Sequence, residues 1–131
     1  MQKFFAGALA LALSVTPVIS GEIRFDGFPD LNSHLDVQIP KFTAANPDIA
    51  VTYQMNDHGD HHKKLTTNLA TGSGAGDVVI VDVGFIGAFI NEGGFENLSD
   101  PAYGADEFAD RFVPYAWNQG KGTDGNQYAI P

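Results

Sequence analysis

Three of the chain's four histidines stand within five positions, His58, His61 and His62, with Asp57 and Asp60 among them. Imidazoles at i, i+3 and i+4 share one face of a helix and can bind zinc or copper. One reading of the cluster is therefore a metal-binding module built on His58, His61 and His62. Against it, a closed metal site draws ligands from several elements, and His34 is the only other histidine. The same three residues also serve as a polar helix start, or as hydrogen-bonding partners for a ligand.

Catalytic patterns are missing. There is no Gly-x-Ser-x-Gly, no Gly-x-x-x-x-Gly-Lys and no His-Glu-x-x-His. Glycoside hydrolysis needs two carboxylates flanking a bond, and no acidic pair here is marked out by apolar neighbours. Gly72-Ser-Gly-Ala-Gly76 precedes an apolar run, whereas a dinucleotide-binding loop follows its strand. The residues point to binding rather than to an enzyme, and they imply no cofactor.

The elements that must position such a site are legible from periodicity. Glu22 to Phe28 alternates Ile23 and Phe25 and stops at Gly27, a first strand. Leu31, Leu35, Ile39 and Phe42 then share a helical face, with Asp30 or Asn32 as cap. Pro40 should kink this helix, and Asn46-Pro47 should end it. Ile49, Val51, Tyr53 and Met55 alternate as a second strand. A helix from the histidine cluster to about Thr71 follows, with Leu65 and Leu69 on its buried face. Thr71 to Gly76 reads as a flexible connection.

Val78 to Val81 is a short apolar run between Gly74/Gly76 and Asp82/Gly84, expected to be a fully buried central strand. Phe85, Ile86, Phe89 and Ile90 recur at helical spacing until Gly93-Gly94, with Phe95 expected over the last turn. Asp106 to Trp117 reads as one further helix, with Phe108, Phe112 and Tyr115 or Ala116 inward. Asp124-Gly125 predicts a hairpin leading into a strand over 127–130. Strand and helix alternate throughout, so the expected fold is α/β, a mainly parallel sheet flanked by helices. Ligands of open α/β sheets lie at the carboxyl ends of the strands. The candidate contacts are accordingly Phe28 and Asp30 after the first strand, Asn56, Asp57 and His58 after the second, and Asp82 and Phe85 after the third. Helix capping competes for Asp30 and Asp82, and core packing for Phe28 and Phe85.

Lys3, the apolar run Phe4 to Val15 and the small residues before Gly21 form a secretory signal peptide over residues 1–20. The run is shorter than the roughly 20 apolar residues of a membrane span. Removing it takes Lys3 away and moves the formal net charge from −9 to −10. So acidic a chain does not suit nucleic acid or an anionic membrane surface. There is no cysteine, so neither a disulfide nor a lipid-bearing cysteine at the signal junction is available. A soluble periplasmic protein fits best.

In this order the segments resemble the amino-terminal part of an extracellular solute-binding protein of family 1, the sugar-binding components of ABC importers. The resemblance rests on Ile23-Arg-Phe-Asp-Gly-Phe28, on Ile39-Pro-Lys-Phe-Thr-Ala-Ala-Asn-Pro-Asp-Ile-Ala-Val51, and on the Gly-Ala-Gly-Asp-Val strand within Leu65 to Val83. It rests also on Gly93-Gly-Phe-Glu-Asn-Leu98 and Asp124-Gly-Asn-Gln-Tyr-Ala-Ile-Pro131. It implies a periplasmic binding protein-like (type II) fold, of which residues 21–131 are part of the first lobe, with the hinge and second lobe absent. It further implies a monomer that captures a sugar or oligosaccharide and hands it to ABC permease subunits in the membrane. Aromatic faces cover sugar rings, and carboxylates and amides pair with hydroxyls. Trp117, the only tryptophan, joins the ligand candidates on this resemblance, with packing at the end of the last helix as the alternative.

Overall fold

The computed structural model describes residues 20–131, so the expected signal peptide lies outside the described residues. Three parallel strands, β1 (Gly21–Gly27), β2 (Ile49–Met55) and β3 (Val78–Val79), form one sheet in the order β2-β1-β3. The register pairs Gly21 with Ile49 through Gly27 with Met55, and Phe25 with Val78. Helix α1 (Asn32–Ala45) joins β1 to β2, and α2 (His58–Thr71) carries the chain back across to β3. The two crossovers run in opposite directions, so right-handed connections place α1 and α2 on opposite faces of the sheet. After β3 come α3 (Val83–Glu92), a 3-10 segment over Ala105–Arg111, and the short α4 (Pro114–Gln119).

Several sequence expectations change. β3 is an edge strand rather than a central one, and Val78 is 41% exposed. An apolar run reports that both faces of a strand are apolar; it does not say how many neighbours the strand has. The expected helix over 106–117 divides, because Pro114 drives Val113 to φ −67°, ψ 138°, out of helical space. Of the residues expected inward, Phe108 is exposed and Phe112 half-buried, and of the pair Tyr115 or Ala116 it is Ala116 that is half-buried while Tyr115 is exposed. Neither Asp30 nor Asn32 caps α1: a 3-10 turn over Pro29–Leu31 leads in, and Leu31 occupies the cap position. Helix α1 then continues through Pro40 to Ala45. At the chain's end the hairpin reduces to one antiparallel bridge, Lys121 to Gln127, around Gly125 at φ +86°, without a strand over 127–130.

The connection into β3 is not loose. Asp26 of β1 is buried, and its Oδ2 accepts the Gly76 amide at 2.7 Å. Arg24 pairs with the same carboxylate at 3.0 Å and 3.2 Å and donates to the Gly74 carbonyl at 2.8 Å. A Cβ on Gly76 would lie 2.7 Å from the Arg24 carbonyl oxygen, so only glycine lets the backbone come this close. The apolar centre is small: Leu65 of α2, Phe89 and Ile90 of α3, Ala105, and Trp117 of α4. Phe95 meets Phe89 edge-on at 6.3 Å, covering the end of α3 as expected. Beside β3 an open apolar groove of about 740 Å³ runs between Val78–Val81, Ile86, Leu98, Tyr103 and Ile130. No helix among the described residues is long and apolar enough to cross a membrane.

Candidate functional site

In the order β2-β1-β3 the winding direction reverses at β1, so a crevice opens at the carboxyl ends of β1 and β3. Phe28 follows β1 there and Asp82 follows β3. The amino-terminal turn of α2 brings His58, His61 and His62 to the same place. Phe28 packs edge-on against His58 at 5.0 Å between ring centroids and lies 5.8 Å from His61. His62 stacks on Phe85 at 4.1 Å and 22°. His58 Nε2 stands 3.6 Å from Asp82 Oδ2, with the two side chains 49% and 42% exposed. Phe85 is 39% exposed. An accessible imidazole, an accessible carboxylate and an open aromatic face thus share one lip.

Asp82 is also the cap of α3, its Oδ1 accepting the Gly84 amide at 2.8 Å. That hydrogen bond, and then His58, hold its carboxyl below the usual carboxylate range. It stays ionised and can accept from a ligand's hydroxyl groups. His61 is buried, and burial pushes its imidazole below the usual histidine value against the opposing bond from Nε2 to the Ile80 carbonyl.

The sequence candidates separate on this geometry. Phe28, His58, Asp82 and Phe85 come together. Asp57 sits at the α2 cap position, exposed, its carbonyl accepting the His61 amide at 2.8 Å. Asn56 lines a small polar cavity with Asp26, His61, Lys64 and Asn68, of about 10 Å³, room for one water. Asp30 lies in the 3-10 turn before α1. Trp117 stands apart, buried and stacked on Phe112 at 5.7 Å. Its carbonyl accepts from the Gln127 amide at 3.0 Å.

The metal reading meets an obstacle in the ring nitrogens. Both nitrogens of His62 bond to backbone, and so does Nε2 of His61. Among the described residues no three His, Cys, Asp or Glu side chains converge so as to hold a metal ion. Sequence reasoning missed these backbone roles; the signal available was two adjacent histidines in phase with the buried Leu65.

A parallel sheet wound in this order, with its crevice at the carboxyl ends, defines a periplasmic binding protein-like α/β lobe. Solved structures agree. A family 1 extracellular solute-binding protein superposes with TM-score 0.73 at 28% identity, over 85% of this chain and 27% of that one. An ABC substrate-binding protein from Listeria monocytogenes in complex with cycloalternan gives 0.64 at 27%, over 82% and 27%. A family 1 protein from Alicyclobacillus acidocaldarius gives 0.67 at 26%, over 90% and 29%. No curated protein matches the chain. The sequence model of the family described as bacterial extracellular solute-binding protein matches residues 29–131, and the chain belongs to that family. It spans little more than a quarter of the length of these solved relatives.

Proposed function

We propose that this chain is the amino-terminal lobe of the substrate-binding component of an ABC importer, exported to the periplasm and carrying a carbohydrate to the membrane permease. The observation that carries the reading is the lip itself, where Phe28 and Phe85 lie beside the accessible His58–Asp82 pair. Aromatic faces next to hydrogen-bonding groups of both kinds match a sugar, whose ring has an apolar face rimmed by hydroxyls. The Listeria relative, in complex with cycloalternan, supports that class of ligand. Asn56 and Asp57 follow β2 at the same ends of the strands, and a second lobe would supply the opposite wall by hinge closure. The task is capture and delivery rather than catalysis, as in the family at large.

The test is a thermal-shift screen of mono- and oligosaccharides, cycloalternan included, followed by calorimetry on any hit with Asp82→Asn and Phe85→Ala. Each substitution is expected to weaken binding by about tenfold or more. A hit indifferent to both would remove the lip from the site.

A further inference from the structure

His62 is 2% exposed and its ring is gripped on every side. Nε2 stands 3.1 Å from the Asp82 backbone nitrogen, which can only donate, so Nε2 carries the lone pair. Nδ1 stands 2.7 Å from the His58 carbonyl oxygen, which can only accept, so Nδ1 carries the proton. The two bonds together admit one neutral tautomer. The face of the same ring lies on Phe85. One side chain of α2 thus holds both the backbone of Asp82 and the ring of Phe85. Next to it, His61 Nε2 donates to the Ile80 carbonyl at 2.7 Å, fixing the segment two residues earlier.

We infer that His62 is the positioning residue of the ligand lip: as the Nδ1–H tautomer it ties the segment after β3 to α2. Protonation turns the acceptor into a donor facing the Asp82 N–H, while the bond to the His58 carbonyl is kept. The ionisable groups around the ring are His58 and His61 of α2, the Asp82 carboxylate beyond His58, and Asp26 of β1 behind His61. Helix α3 brings only Phe85 and Phe89 to it. The positioning role rests on the lip being the ligand wall proposed above, whereas the tautomer and the tie can be read with no ligand present.

The experiment is NMR on the isotope-labelled chain. Long-range proton–nitrogen spectra are expected to place the His62 ring proton on Nδ1, and to show the Asp82 amide coupled to Nε2 across its hydrogen bond. Asp82 amide exchange should quicken about tenfold in His62→Phe, which keeps an aromatic face but has no lone pair. His62→Gln, whose side-chain oxygen reaches the Nε2 position, should restore part of the protection. The Leu65 amide should exchange alike in all three. A ring proton on Nε2, or an Asp82 amide that ignores the His62 ring, overturns the inference. Unchanged Asp82 exchange in a folded His62→Phe does so as well. Should His62→Phe fail to fold, the tautomer and the coupling across the hydrogen bond in the unsubstituted chain still decide. Failure to find a sugar would leave each of these outcomes as it stands.

Discussion

Asp82 uses one carboxylate oxygen on the Gly84 amide and presents the other to His58, so helix cap and ligand candidate are one residue. The two readings that its sequence position allows do not exclude one another, because a carboxylate accepts at both oxygens. Phe85 behaves similarly: its helical phase with Phe89 puts it near the core, yet it is partly open and stacked on His62. At this scale His61 makes a pH prediction. Burial lowers its imidazole below the unfolded value, so the unfolded chain binds more protons between the two values. Stability should therefore fall as pH drops from about 7 to about 5 and level off above the unfolded histidine range. Denaturant midpoints across that interval check it. His61→Gln, which can still donate to the Ile80 carbonyl but does not titrate, should flatten the slope. An unflattened slope would assign the dependence to other groups.

The elements legible in the sequence are those whose own residues dictate their ends. Helix α2 stops at Thr71 because Gly72 takes φ +66°, and α3 starts at Val83 because Asp82 caps it. Where an end depends on partners, the reading slipped. The run Val78–Val81 keeps only two ladder residues, and the Gly-Ala-Gly connection is rigid through Asp26 and Arg24, residues 50 positions away. Gly76→Ala is expected to destabilise by about 1–3 kcal/mol, since a Cβ meets backbone and weakens the bond to Asp26. Gly87→Ala in α3, whose Cβ meets nothing within 4 Å, should be neutral or stabilise by up to about 1 kcal/mol. Urea unfolding of both measures the contrast. Equal effects would mean that the close approach at Gly76 contributes nothing.

Over the whole molecule, the proposed ligand lip stands beside a groove of about 740 Å³ along the open edge of β3. The chain covers 27% of the family 1 solute-binding protein on which it superposes with TM-score 0.73. Enclosing most of a sugar's surface takes two walls, and affinity follows the contacts that exclude water. Residues 20–131 alone are thus expected to bind any saccharide weakly, with a Kd above about 1 mM. Calorimetry with the best ligand of the screen tests this. Submicromolar affinity would show that the single lobe already encloses its ligand.

Composition, hydrophobic period and a few caps and glycines were enough to establish an α/β chain and the order of its first three strands and helices. These properties are local, set by neighbours within a turn or a strand. Only the tertiary structure decided that β1 rather than β3 lies in the middle of the sheet. It also turned the neighbouring histidines inward onto the backbone of Ile80 and Asp82 instead of toward a shared ion. It buried Trp117 against Phe112 in the same way. The physical reason is one: hydrogen-bond partners and aromatic neighbours distant in sequence are chosen by how the elements pack, and no local pattern encodes that choice.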